Sequence, residues 1–151
     1  GHAFSLVSAA QAQDAPASTE EIKVPDMILG NADAPLTVTE YASFTCPHCR
    51  NFHDTVFAEF KKNYIDTGKV RFIYREVYFD KYGLWAAMVA RCGGDMKYFG
   101  ISDMLYTTQK DWIADGQDQT VSENLRKIGL KAGIAPEKEA TVLAAWKAKK
   151  A

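Results

Sequence analysis

Residues 36 to 52 read LTVTEYASFTCPHCRNF, and this stretch decides the fold. In its first nine residues, the residues that would share one face of a strand are mostly apolar and those between them are mostly polar. This alternation predicts a β-strand over residues 36–44. At Pro47 the pattern becomes helical, and proline suits the first turn of a helix. The two cysteines, Cys46 and Cys49, therefore lie where a strand passes into a helix. One strand face is apolar except for a single carboxylate, and consists of Leu36, Val38, Glu40, Ala42 and Phe44.

The segment after the cysteines completes a βαβ unit. The helical pattern runs over residues 47–64, and Gly68 supplies a stop. A second strand, VRFIYREVY, follows at residues 70–78. Strand, helix and strand of these lengths predict a parallel pair with a right-handed crossover. One stripe of the helix is apolar and consists of Phe52, Val56, Phe60 and Tyr64.

Beyond Asp80 the signals are helical. Helices are predicted around residues 85–92, at about 95–110 and 122–131, and from Pro136 onward. The chain is therefore expected to be α/β, with a single domain over residues 28–151. Within it, residues 28–79 form the βαβ unit and residues 80–151 form a helical block.

Residues 1–27 are expected to be a signal-peptide remnant and a polar leader. Residues 4–10 are apolar and run into Ala10-Gln11-Ala12, a small-residue sequence typical of signal cleavage. The alternative is a disordered polar terminus. The signal interpretation predicts export to an oxidising compartment. A net charge of −1 and mixed acids and bases give no reason to expect nucleic acid as a partner, and no apolar run reaches the roughly 20 residues of a membrane span.

The position of the cysteine pair predicts redox chemistry. Open amide groups and the dipole at a helix start stabilise a thiolate at Cys46, and Pro47 and His48 tune it. Cys49, one turn into the helix, is expected to be shielded and to resolve the mixed disulfide formed at Cys46. Glu40 either moves protons to and from Cys49 or is a solvated or ion-paired strand residue.

These residues carry a family resemblance. GNADAPLTVTEYASFTCPHC, then VRFIYREV and LWAAMVARC, resembles the DsbA-type thiol:disulfide oxidoreductases of the thioredoxin superfamily, and CPHC is identical to the motif of the periplasmic oxidase that names that family. The resemblance implies a thioredoxin-like fold with a helical block. It implies a periplasmic enzyme that gives its Cys46–Cys49 disulfide to reduced unfolded secreted proteins, with no metal or organic cofactor. It also implies reoxidation by a DsbB-like membrane quinone reductase.

Two features depart from that family. The family's cis-proline loop has no candidate, because Pro136 is the only proline after Pro47 and lies at a predicted helix start. The chain is thus expected to be a fragment or to complete its sheet in another way. Cys92 has no later cysteine with which to pair, although alphaproteobacterial relatives often have one. We expect Cys92 to be a buried inert thiol in a monomer, with a dimer through Cys92 as the alternative.

The cysteine pair is also compatible with other kinds of site. A zinc site would combine the pair with two of His48, His53 and Cys92, but a second spaced ligand pair is missing. Haem attachment is excluded because residue 50 is arginine, and His53 is expected to be a partly exposed helix residue. A static disulfide closing so short a loop would constrain the unfolded chain little. A disulfide isomerase, a reductase and a truncated non-catalytic partner-binding domain remain as alternatives.

Overall fold

The computed structural model describes residues 24–135 and residue 137. Three strands, Met27–Leu29 (β1), Leu36–Ala42 (β2) and Val70–Glu76 (β3), form one sheet in the order β1-β3-β2. β2 runs parallel to β3, with Leu36 opposite Val70 and Ala42 opposite Glu76. The predicted α/β class and the parallel strand pair are confirmed.

β1 was not predicted. It pairs antiparallel with β3, placing Met27 opposite Tyr74. Residues 24–27 were assigned to the leader, but Met27 is buried and the guanidinium of Arg91 donates to the Pro25 carbonyl at 2.9 Å. The folded unit thus begins before residue 28, because this short strand is stabilised by pairing with β3 rather than by its own sequence pattern.

A single helix, α1, follows β2 and covers residues 47–65. It alternates between α-helical turns at Pro47–Phe52 and Ala58–Phe60 and π-helical turns at His53–Phe57 and Lys61–Ile65. The predicted apolar stripe is wrong, since Val56 and Tyr64 are 46% and 47% exposed. Besides Cys49, the α1 side chains that pack against or within the core are Phe57, Phe60 and Ile65. A π turn closes from residue i to i+5, so each one rotates the residues that follow it off an α-helical stripe.

The helical block contains four helices in the described part of the chain: Lys81–Cys92 (α2), Asp95–Thr107 (α3), Gln109–Ile113 (α4) and Asp118–Lys131 (α5). The one helix predicted over residues 95–110 is divided at Thr108, whose φ of −110° and ψ of 21° lie outside the helical region. The helix predicted from Pro136 and most of the leader lie outside the described residues.

The core lies between the sheet, α1 and the helical block. Its largest fully buried side chains include Phe44 from the end of β2, Phe72 from β3, and Tyr98, Tyr106 and Trp112 from the helical block. β2 is an edge strand of the described sheet, and its start is open, because Leu36 is 63% exposed. Burial begins at Ala42 and continues through Phe44, so the strand is firmly held at the end that leads to the cysteines.

Candidate active site

The CPHC segment lies at the carboxyl edge of the sheet. Because β2 and β3 are parallel, the loops that follow Ala42 and Glu76 leave the sheet on the same side. Cys46 is the N-cap residue of α1, with φ −79° and ψ 120°, and Pro47 is the first helical residue. Cys49 lies one turn further and packs against the core. The structure thus places both cysteines at the strand-to-helix junction, in the dithiol form.

The surroundings of the two sulfur atoms differ. Burial acts to raise the pKa of Cys46, but the backbone N–H of Cys49, the Cys49 thiol and the backbone N–H of His48 outweigh it and hold that pKa below its usual value. The two backbone N–H groups are open donors of the first helical turn. Burial raises the pKa of Cys49, and the neighbouring Cys46 and Glu40 raise this pKa further. A hydrogen bond with the Ser43 backbone acts in the opposite direction. The surroundings therefore favour a thiolate at Cys46 and a protonated thiol at Cys49.

Glu40 is the residue that the sequence suggested as a proton relay. It lies on β2 and is half-buried. Burial raises the pKa of Glu40 to about 7, while the charge of His53 opposes the shift. The carboxyl group makes no ion pair among the described residues. Of the two alternatives for Glu40, its burial argues against a solvated strand residue.

His48 and His53 have different surroundings. The His48 side chain is exposed, and it is the backbone N–H of this residue that bonds to the Cys46 sulfur. His53 is a partly exposed helix residue, as predicted, with 16% of its side chain exposed, and its Nε2 lies 3.0 Å from Asp103 Oδ1 on α3. The His53 ring stacks between Phe57 and Tyr106. His53 therefore joins α1 to the helical block, an arrangement that the local sequence does not reveal.

The loop before Cys46 is held by the start of α2. The Thr45 hydroxyl donates to Asp80 Oδ2 at 2.8 Å, and the Thr45 backbone N–H donates to Ser43 Oγ at 3.2 Å. The other Asp80 oxygen accepts the backbone N–H of Gly83 at 2.7 Å and caps α2. An aspartate directly before a helical pattern is a common N-cap, so the cap was predictable, but its second bond was not.

A second support comes from α3 and α4. Tyr106 donates to the Ser43 carbonyl at 3.3 Å and shares a hydrogen bond with Tyr74. Gln109 is only 3% exposed, and its Nε2 donates to the carbonyls of Phe44 and Cys46 at 2.7 and 3.1 Å. Neither helical residue belongs to the predicted site. One sequence signal could have indicated Gln109. It lies at helical spacing from the apolar Leu105 and Trp112, and a polar residue on such an apolar stripe is expected to be buried with a hydrogen-bond partner.

Cys92 is the third cysteine of the chain. Cys92 ends α2, is half-buried and packs against the core. In the part of the chain that the structure describes, no group of three or more His, Cys, Asp or Glu side chains is arranged to hold a metal ion. No helix within the described residues is both long enough and apolar enough to cross a membrane.

Comparisons with known proteins identify the family. The sequence model of the Thioredoxin family matches residues 23–151. The crystal structure of Wolbachia pipientis alpha-DsbA1 superposes with a TM-score of 0.68 at 28% identity, covering 88% of this chain and 69% of that one. The chain is a DsbA-type member of the thioredoxin superfamily. The predicted resemblance and fold are thereby confirmed.

The relatives of this DsbA-type chain are named for disulfide chemistry. A Rickettsia bellii protein named as a protein-disulfide oxidoreductase is 40% identical over 120 residues, covering 79% of this chain and 45% of that protein. Disulfide bond formation protein D of Bacillus subtilis is 27% identical over 128 residues, covering 78% of this chain and 56% of that protein. The DsbA-type chain therefore spans about half the length of these relatives.

Proposed function

We propose that this protein is a periplasmic thiol:disulfide oxidoreductase that donates a disulfide to reduced secreted proteins. The observation that carries the proposal is the asymmetry of the pair, in which the pKa of Cys46 is lowered and that of Cys49 is raised. A stabilised Cys46 thiolate favours the reduced enzyme, so the disulfide is readily reduced and acts as an oxidant. The names of the relatives agree with this class of reaction.

The reaction proceeds by two exchanges of sulfur bonds. A substrate thiolate attacks the Cys46 sulfur of the Cys46–Cys49 disulfide, forming a mixed disulfide and releasing Cys49, which takes up a proton. A second substrate thiolate attacks the substrate sulfur of the mixed disulfide and releases Cys46 as a thiolate. The substrate loses two electrons and two protons and gains a disulfide. The enzyme gains both electrons and one proton, and the other proton enters solvent.

Glu40 is the proposed proton donor to Cys49. With a pKa of about 7, Glu40 exists in both protonation states near neutral pH, which suits a group that gives and takes a proton. Pro47 and His48 support the thiolate by setting the helix start and by supplying a backbone donor at the sulfur. The chemistry requires only the two sulfur atoms, without a metal or organic cofactor.

The proposed partners follow from the direction of the reaction. Each turnover leaves a reduced enzyme, so a membrane quinone-linked protein of the DsbB type is the proposed oxidant. Export to the periplasm would keep the pair in an environment where disulfides persist. We propose that the protein acts as a monomer.

A disulfide-transfer assay tests the proposal. The oxidised protein is mixed with a reduced, unfolded protein, and the rate of disulfide formation in the substrate is measured. We expect Cys46→Ser to reduce this rate to the background, because no mixed disulfide can form, and Cys92→Ser to retain it. Unchanged activity in Cys46→Ser would contradict the redox function. Rearrangement of scrambled disulfides without net oxidation would instead indicate an isomerase.

A further inference from the structure

Gln109 is a buried polar side chain that joins the helical block to the backbone of the cysteine loop at two carbonyls. It opens α4, 63 residues after Cys46, and is 3% exposed. Its Nε2 lies 2.7 Å from the Phe44 oxygen and 3.1 Å from the Cys46 oxygen. Carbonyl oxygens only accept hydrogen bonds, so the amide nitrogen of Gln109, with its two hydrogens, must face both of them.

The two carbonyls define the conformation of the residues between them. The Phe44 oxygen belongs to the peptide group before Thr45, and the Cys46 oxygen belongs to the peptide group after Cys46. Fixing both peptide planes with one planar carboxamide restricts the backbone torsions of Thr45 and Cys46. Those torsions set the direction of the Cα–Cβ bond of Cys46, and therefore the position of its sulfur.

The Phe44 carbonyl needs a hydrogen-bond donor because its residue is buried. Phe44 is 1% exposed, and buried carbonyl groups are nearly always paired. Among the described hydrogen bonds of the loop, the donor to this oxygen is Gln109. The Cys46 carbonyl also accepts the backbone N–H of Arg50 at 3.1 Å, the first bond of α1. Gln109 thus bonds to the helix start itself as well as to the loop that leads to it.

We propose that Gln109 is a positioning residue that holds the Cys46 sulfur against the open amides at the start of α1. It touches neither the sulfur nor a substrate, and it acts through the backbone. The proposal rests on the proposed function, in which the Cys46 thiolate is the reacting group. Without the carboxamide, the Phe44 carbonyl loses this donor and the Cys46 carbonyl keeps only the bond from Arg50. The Cys46 sulfur is then held less firmly against the N–H groups of His48 and Cys49 that stabilise its charge.

The test compares Gln109→Met with Gln119→Met. Methionine has nearly the shape of glutamine but donates no hydrogen bond, and Gln119 is an exposed residue of α5, so the control makes the same chemical change elsewhere. The thiolate absorbance of reduced protein is titrated, and folding at 25 °C is verified by circular dichroism. We expect the Cys46 midpoint of Gln109→Met to rise by about one pH unit, a tenfold loss of thiolate below the midpoint. The Gln119→Met midpoint should equal that of the wild type.

The outcomes separate a positioning role from a structural one. If Gln109→Met melts at a lower temperature but keeps the wild-type midpoint, Gln109 only stabilises the fold and the proposal is overturned. If the wild type itself shows no lowered Cys46 midpoint and no disulfide transfer, the proposed function fails instead.

A measurement on the wild type decides the question even if Gln109→Met does not fold. The side-chain amide protons of Gln109 are followed by NMR in the dithiol and disulfide forms. We expect them to exchange with solvent much more slowly than those of Gln119, and to shift between the two redox forms. Exchange as fast as that of Gln119 overturns the proposal.

Discussion

Glu40 shows how one residue links stability to the chemistry of the site. It is a half-buried carboxyl group on β2 whose pKa burial raises to about 7. Between its usual value and pH 7 the folded protein binds a proton that the unfolded chain releases. Stability is therefore expected to fall as pH rises through this interval and to level off above it.

Replacing Glu40 with glutamine should reverse this loss. Glu40→Gln keeps the shape of the side chain but never has to bury a charge, so we expect it to unfold at higher urea concentration than the wild type at pH 8. The gain should be up to about 3 kcal/mol and should disappear near pH 4.5. Glu59→Gln, an exposed change on α1, is the control. An equal difference between Glu40→Gln and the wild type at both pH values would show that burial of the charge is not the cause.

At the scale of elements, the cysteine loop depends on the start of α2. Asp80 caps this helix through Gly83 and also accepts the Thr45 hydroxyl. Local sequence was sufficient to predict that a helix begins there, because an aspartate before a helical pattern is a local signal. The π turns of α1 were not predictable from an α-helical period, because each one shifts the residues that follow it off that period. The two π turns end at Phe57 and Ile65, which pack in or against the core.

Asp80 offers a test of this connection. Asp80→Ala removes the cap and the bond to Thr45, and we expect a loss of about 1–2 kcal/mol in the free energy of unfolding. Asp80→Asn keeps one side-chain oxygen to accept the Gly83 N–H, but its amide nitrogen cannot accept the Thr45 hydroxyl, so we expect a smaller loss of about 0.5–1 kcal/mol. Urea denaturation of the reduced proteins gives both values. Equal losses in the two variants would contradict a capping role for Asp80.

At the scale of the whole molecule, one buried ion pair joins the sheet to the helical block. Glu76 at the end of β3 is 2% exposed in its side chain, and Arg91 of α2 contacts it at 2.6 Å. Tyr98 of α3 donates to the same carboxylate at 2.9 Å, and Arg91 also binds the Pro25 carbonyl. Three elements thus meet at one carboxylate, and Arg91 connects them to the segment before β1.

Breaking this pair should destabilise the molecule far more than breaking an exposed one. Arg91→Met leaves the Glu76 charge buried without its cation, and we expect a loss of about 3–5 kcal/mol. Arg75→Met is the matched control, because Arg75 also pairs with an acid, Asp26, but its side chain is 43% exposed; about 0–1 kcal/mol is expected. Adding Glu76→Gln to Arg91→Met should recover part of the loss. Similar losses for the two arginine variants in urea unfolding would contradict this account.

Local sequence patterns were sufficient to predict the βαβ unit, the helical character of the second part and the position of Cys46 and Cys49 at the helix start. Each of these depends on a local pattern: alternation, helical period, proline at a helix start and the spacing of two cysteines. Tertiary packing places Gln109, Tyr106 and Asp80 against the cysteine loop, because these residues lie far along the chain from the cysteines. It also brings Asp103 of α3 to His53, which by itself lies near the cysteines in sequence. The burial that raises the pKa values of Glu40 and Cys49 was decided in the same way. Desolvation depends on what every neighbouring element covers, and no short stretch of sequence contains that information.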